Sequence, residues 1–445
     1  MPTPVDLVAD LPADFEVFGQ AVDSSLADLK GGTTGQILSK ATNTDMDFVW
    51  ITNDQGDITG ITATSPLTGG GTSGAVTVGI QSASTSQSGA VQLSDSTSTT
   101  SSVLAATPTA VKSAYDLANR PNPSNPTLNS AMNVWQRGTS IAVNGAGVAY
   151  TADRWQIQIN TAGVNTTISR QGTADTTNLP FIQYCARVQR NSGVTANGFV
   201  SIQQYFETVN SIPFAGKAVT VSFYARAGAN YSASGSTLGF QLQTGTGTDQ
   251  NNSTTGYTGL ATPINSSATL TTTWQRFTFS GTIASTATEM GLNIYYATTG
   301  TAGANDYFEL TGVQIDVGSS ALPFRTAGTT YQQELAACQR YYIRYAVNGN
   351  PTSFARGLAI STTSIDFNIP LPVTLRSTLQ IIDGSNLRVS VYGTNDYSSG
   401  TFTTAYAGPY GSPVVTYTHG SAVFTQNQAG TLNTTTGYLG LSAEL

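Results

Sequence analysis

The chain has 445 residues, carries a net charge of −7 and holds charged side chains at only 10%, against roughly 25% in an average soluble protein; that length suits two to four domains. The acidic balance argues against nucleic-acid binding, which needs basic stripes that displace counterions, and a hydrophobic share of 39% argues against disorder. The polar share falls on Thr, Ser, Asn, Gln and 45 glycines, a composition suited to pleated strands and tight turns, so the expected fold class is mainly β.

From the N-terminus, Met1 to Asp10 has neither the basic nor the apolar region of a signal peptide, so synthesis in a cytoplasm without that signal is expected. No apolar run of about 18 residues predicts membrane insertion. Residues 12–30 read as a helix in which Phe15, Phe18, Val22, Leu26 and Leu29 are spaced by 3, 4, 4 and 3 residues, a heptad seam ended by Gly31-Gly32. One such seam cannot be buried within one helix. It calls for self-association, or for packing on a later segment or on another protein. Residues 33–88 alternate short β-like pieces (Gln36–Leu38, Asp47–Ile51, Ala75–Ile80) with Gly/Ser/Thr runs, none long enough for its own core. Sharing a core among three chains solves that problem, and the expected architecture is an elongated, intertwined homotrimer with short helices.

Residues 89–126 hold the most informative stretch: Gly89-Ala-Val-Gln-Leu-Ser-Asp-Ser-Thr97, then Leu104-Ala-Ala-Thr-Pro-Thr-Ala-Val-Lys-Ser-Ala-Tyr-Asp-Leu-Ala-Asn119. Ala90, Val91 and Leu93 predict a short strand. Thr107 is placed as an N-cap with Pro108 at the first helical position, and Val111, Ala114, Tyr115 and Ala118 line one side of a three-turn helix. A helix this short needs a docking partner. Pro121, Pro123 and Pro126 follow as a stiff hinge.

This stretch resembles, almost position by position, the repeat of bacteriophage tail fibres. The resemblance implies a virion protein: a tail fibre subunit whose segment 1–32 joins the tail, baseplate or an adaptor, with Phe15, Phe18 and Val22 as the attachment residues. It further implies distal domains that adsorb non-covalently to a host glycan such as lipopolysaccharide or capsule. The alternatives are a depolymerase tailspike, and a purely structural spacer or adaptor fibre.

Residues 127–328 predict a β-sandwich or jelly roll of eight or nine strands. Val219, Val221, Phe223 and Ala225 alternate, as do Phe277 and Phe279, then Leu292, Ile294 and Tyr296, then Phe308, Leu310 and, after a shift, Ile315. The fragments Asn129-Ser-Ala-Met-Asn-Val-Trp-Gln-Arg-Gly138, Tyr150-Thr-Ala-Asp-Arg-Trp155 and Leu310-Thr-Gly-Val-Gln-Ile-Asp-Val-Gly318 resemble the carbohydrate-binding-module-like jelly rolls of such fibres. Residues 329–345 predict a connecting helix capped by Thr330 and Gln333, with Leu335, Cys338, Tyr342 and Tyr345 on one stripe. Residues 346–445 predict a β tip domain with strands at Asp366–Ile369, Leu387–Val391, Val414–Tyr417, Val423–Thr425 and Tyr438–Leu441, and turns at Asp383-Gly384 and His419-Gly420.

For chemistry the sequence offers little. Cys185 and Cys338 are too few for a disulfide framework and read as buried thiols. His419 is the one histidine and reads as a turn residue. Asp306, Glu309 and Asp316 form the nearest acidic cluster, but Asp306 and Glu309 fall on opposite faces of a strand, a poor arrangement for glycoside hydrolysis. Calcium in the jelly roll remains an alternative for these acids. The expectation is therefore no catalytic residue, no metal and no cofactor. Tyr392, Tyr397, Tyr406, Tyr410 and Tyr417 are the candidate receptor-binding residues, since aromatic faces stack on sugar C–H faces; core or trimer-interface packing is the competing role for each.

Overall fold

The computed structural model describes residues 11–53, 59–101, 103–118, 125–179, 181–346, 352–378, 381–391, 395–406 and 413–445. The chain divides into two units, 1–119 and 120–445.

In the first unit, helix α1 (Leu11–Leu26) runs into a 3-10 turn at Ala27–Leu29. It stops at Gly31 and Gly32, whose φ values of +105° and +84° suit glycine. Strands β1 (Gln36–Lys40) and β2 (Phe48–Thr52) pair as a hairpin. Strands β3 (Ile61–Thr62), β4 (Leu67–Gly71) and β5 (Val78–Ile80) form a second small antiparallel sheet, and β6 (Gln92–Ser94) pairs in parallel with β7 (Leu104–Ala106). Helix α2 (Pro108–Ala118) starts as the sequence predicts: Ala110 N–H donates to the Thr107 hydroxyl at 3.1 Å. Among the described residues of this unit Ala110 alone is buried. Phe15, Phe18, Leu93 and Tyr115 are 66%, 65%, 63% and 62% exposed.

The second unit holds two β modules. The first is a sandwich of jelly-roll type. Its strands are β8 (Ser140–Val143), β9 (Gly147–Tyr150), β10 (Gln156–Ile159), β11 (Thr166–Gly172), β12 (Tyr184–Arg190), β13 (Phe199–Tyr205), β14 (Ala218–Ala227), β15 (Thr237–Gly245), β16 (Ala261–Thr269), β17 (Gln275–Thr282), β18 (Glu289–Ala297) and β19 (Tyr307–Val317), with the single helical turn α3 (Thr208–Ser211) after β13. One sheet has the order β16-β15-β18-β13-β10-β9 and the other β17-β14-β19-β12-β11-β8. Alternation decides which side chains fill the space between them: Val219, Val221, Phe223 and Ala225 of β14 are fully buried. Phe223 meets Phe240 of the opposite sheet at 5.5 Å between ring centroids, and Phe240 stacks on Phe279 at 5.2 Å. The expected shift in β19 occurs at Gly312, with φ +62°, which returns Val313 and Ile315 to the core. Among the described residues twelve strands form where eight or nine were expected, because four-residue strands such as β8, β9 and β10 are too short to register as runs.

The second module begins with helix α4 (Tyr331–Gln339) and continues through β20 (Tyr342–Ala346), β21 (Thr352–Ala359), β22 (Ser364–Asn368), β23 (Ile381–Val391), β24 (Asn395–Tyr397), β25 (Thr401–Tyr406), β26 (Val414–Thr418) and β27 (Ala429–Ser442). These strands form one sheet ordered β24-β23-β27-β21-β22-β26-β25, with β20 also paired to β27. Three expectations are corrected. The connecting helix ends at Gln339 rather than Tyr345, because Tyr342–Ala346 gains a ladder with Tyr438–Ser442. Asp383-Gly384 is no turn: both residues pair within β23, and the irregularity falls at Asn386, with φ +51°. Val423–Thr425 is not a strand, although Phe424 is buried in the core of this module. The predicted cap of α4 is present, Gln333 N–H donating to Thr330 Oγ1 at 3.3 Å.

Residues 443–445 tie the second module to the sandwich. Glu444 pairs with Arg154 and, at 3.3 Å, with Arg137. The Tyr150 hydroxyl of β9 donates to the Leu445 carbonyl at 3.1 Å.

Candidate functional site

The outer face of the first sandwich sheet is built by an alternation that runs through several of its strands. In β10 Ile157 and Ile159 point to the core, so Gln156 and Gln158 point away from it. In β13 Val200 and Ile202 are buried under Ser201 and Gln203. In β18 Leu292, Ile294 and Tyr296 fill the core while Asn293 and Tyr295 face outward, and in β15 Leu238, Phe240 and Leu242 oppose Gly239, Gln241 and Gln243. The outward amides join across five strands. Gln203 Nε2 donates to Gln158 Oε1 at 2.9 Å and to Asn293 Oδ1 at 3.1 Å. Asn293 Nδ2 donates to Gln241 Oε1 at 3.0 Å, and Gln241 Nε2 to Asn265 Oδ1 of β16 at 3.3 Å. Each member holds its neighbour's rotamer, so the ladder is preorganised.

Beside the ladder lies an aromatic platform. Tyr295 pairs in register with Gly239, and its ring occupies the space a side chain there would take: a Cβ on Gly239 would sit 2.4 Å from Tyr295 Cζ. Phe199 meets Tyr295 edge-on at 5.7 Å and is 48% exposed. The other half of the face is walled by the segment following β15. Asn252 Nδ2 donates to Gln243 Oε1 at 2.8 Å, Asn251 Nδ2 to Gln156 Oε1 at 3.0 Å, and the Ser253 hydroxyl meets that of Tyr205 at 2.9 Å. Burial pushes the Tyr205 phenol up to about 12. None of the ladder or platform side chains is a carboxylate, an amine, a guanidinium or an imidazole. Gln156, Gln203 and Gln243 are buried beneath this wall, and the accessible part of the face offers the Tyr295 and Phe199 rings with the amides of Gln158, Gln241, Asn265 and Asn293, the complement of a polyhydroxylated ring.

The residues singled out from sequence fall elsewhere. Tyr417 is corrected from a surface ligand to a core residue. It is fully buried, its ring is 4.9 Å from Phe402, its hydroxyl accepts from Gly400 N–H at 3.0 Å, and burial raises its pKa. Tyr397 is half-buried, edge-on to Phe424 at 5.3 Å and to His419 at 5.4 Å. Tyr406 ends β25 with only its backbone described, and Tyr392 and Tyr410 lie outside the described residues. Phe15, Phe18 and Val22 are exposed on α1. His419 Nε2 lies 3.2 Å from Ser399 Oγ, and its Nδ1 accepts from Ser421 N–H at 3.2 Å.

The three acids each face arginine. Asp306 pairs with Arg190 at 3.4 Å with both side chains fully buried, Glu309 lies between Arg187 at 2.6 Å and Arg226 at 2.5 Å, and Asp316 meets Arg325 at 2.7 Å. Among the described residues no group of His, Cys, Asp or Glu is placed to hold a metal ion. Cys185 and Cys338 are buried free thiols.

The fold and this face define a mainly β protein carrying a jelly-roll sandwich. Residues 84–125 match the phage tail fibre repeat family, so the chain carries a tail fibre repeat. No curated protein matches. Among solved structures the chain is similar to a putative sugar-binding protein from Bacteroides thetaiotaomicron, at 15% identity over 44% of this chain and 100% of that one, with a TM-score of 0.29. It is also similar to a xylan-binding domain from CBM 22, at 15% identity over 40% of this chain and 99% of that one, with a TM-score of 0.26. A third is the enzymatically active domain of bacteriophage CBA120 tailspike protein 4, at 11% identity over 44% of this chain and 21% of that one, with a TM-score of 0.27.

Proposed function

We propose that this chain is a tail fibre subunit of a bacteriophage, acting as a homotrimer that holds a host surface glycan without cleaving it. The observation that carries the glycan reading is the amide ladder beside the Tyr295 platform. A sugar laid there stacks a C–H face on the ring and sets its hydroxyls against the remaining hydrogen-bonding capacity of amides already fixed in place; a ligand lacking those hydroxyls gains only the ring contact. Charge-free chemistry of this kind supports binding rather than catalysis, and Asp306, Glu309 and Asp316 are each held by a guanidinium group. The trimer reading is supported by the first unit, whose described apolar side chains, Ala110 apart, stay at least partly exposed within one chain. Three copies multiply weak single contacts into stable adsorption. On this reading the α1 segment, with Phe15, Phe18 and Val22, joins the tail or an adaptor, and the protein resides in the virion.

The test is adsorption of the fluorescently labelled full chain to host bacteria, with purified lipopolysaccharide or capsular polysaccharide as competitor. Competition by one of these is expected. Adsorption that neither polysaccharide touches would contradict the glycan reading, and release of new reducing ends would contradict the non-catalytic one.

A further inference from the structure

We infer that the tip sheet carries a second saccharide-binding site, separate from the sandwich face and from the tip tyrosines. It is a groove of about 600 Å³ across the outer face of β21, β22 and β27. Strand alternation builds it. Phe354, Ala355 and Ala359 of β21 and Ile365 and Phe367 of β22 are buried, while Arg356, Leu358 and Ile360 project from one side and Asp366 and Asn368 from the other. Leu358 stands directly opposite Asp366 in register, so an aliphatic column runs beside a polar one. The small residues Ala429 and Gly430 of β27 leave the space open.

Two features call for a ligand. Leu358 and Ile360 are 54% and 51% exposed, although paired aliphatic side chains gain by being covered. Arg356 and Asn368 are planar, hydrogen-bonding side chains with no side-chain partner among the described residues, whereas the nearby Asp366 already accepts from Thr416 Oγ1 at 2.5 Å and keeps its second oxygen available. One guanidinium and one carboxylate make the groove electrically balanced. It therefore suits an uncharged or zwitterionic sugar: the C–H face lies on Leu358 and Ile360, and neighbouring hydroxyls reach Arg356, Asp366 and Asn368 in the two-pronged geometry that planar groups favour.

The probe is an array of purified bacterial O-antigen and capsular oligosaccharides, read with the full chain, with the double variant Arg356→Ala/Asn368→Ala and with Tyr295→Ser. Arg356 and Asn368 are exposed, so their replacement leaves the core intact; melting temperature and circular dichroism check this. The expected result is at least one oligosaccharide whose affinity falls about tenfold or more in the groove variant and is unchanged in Tyr295→Ser. Binding affected only by Tyr295→Ser, or no binding to any oligosaccharide, overturns the second site. A groove variant that alters the sedimentation coefficient while leaving glycan signals unchanged also overturns it, because the groove is then covered by another copy of the chain. Signals that depend on the groove residues while none depends on Tyr295 support this site and contradict the sandwich-face reading.

Discussion

Replacing Leu93 and Val111 by serine isolates the claim that the first unit is completed by other copies of the chain. In one chain these side chains are 63% and 57% exposed, so the changes remove almost nothing that a lone chain uses. Covering both in an assembly hides about 200 Å² of apolar area per chain, about 5 kcal/mol at 25 cal/mol per Å², and three times that per trimer. Even if neighbours cover only a third of this area, the trimer loses about 5 kcal/mol, more than three decades in its dissociation constant. Sedimentation velocity over a dilution series from tens of micromolar to tens of nanomolar reads the difference. Wild type stays trimeric throughout, while the double variant dissociates within the series with the circular dichroism of its β modules unchanged. A monomeric wild type, or a variant that dissociates at the same concentration as wild type, would refute the reasoning.

Two further outcomes follow from groups buried in the second unit. Asp306→Ala strands the fully buried Arg190 guanidinium, which retains carbonyl acceptors at Val194, Ala196 and Gly300 but no counter-charge. A loss of about 3 kcal/mol or more is expected, lowering the sandwich melting temperature by roughly 6–12 °C in scanning calorimetry; a shift under about 2 °C rules out the ion pair as a structural element. Asp153 is buried, accepts from Gln136, and has its pKa pushed up to about 6, chiefly by burial. Because the folded value lies above the unfolded one near 3.9, the native state binds the extra proton. The stabilisation is therefore complete below about pH 4 and is lost as pH rises through about 6, amounting to about 2–3 kcal/mol. Asp153→Asn should flatten that part of the melting-temperature profile; an identical slope in both proteins contradicts the assignment.

Local signals in the sequence were legible where one residue decides the backbone. Thr107-Pro108 starts a helix, Gly31-Gly32 ends one, and the alternation of Val219 through Ala225 sets a core strand. The mainly β class with a sandwich was legible for the same reason. What escaped was decided by distant partners. Tyr342–Ala346 follows a helical stripe with residues that also suit a strand, and β27, nearly a hundred residues later, settles it. Tyr417 lies among the aromatics of the C-terminal module, and only the sheet shows that its ring is interior. The ladder leaves a period-two trace in the sequence: Gln156-Ile-Gln158-Ile, Ser201-Ile-Gln203 and Gln241-Leu-Gln243 each alternate an amide or hydroxyl with a buried aliphatic. Period two locates one face of each strand, but the joining of those faces depends on sheet order, which local pattern does not encode.

The glycan-binding claim meets its most direct test in surface plasmon resonance of the full chain over immobilised polysaccharide from a bacterium it adsorbs to. Wild type should bind, Tyr295→Ser should weaken the fast-exchanging single-site phase about tenfold or more with an unchanged melting profile, and Gln203→Leu, which cuts the ladder at its centre, should do the same. Equal binding by all three proteins would contradict the account, since the outer face of the sandwich would then take no part in holding the cell.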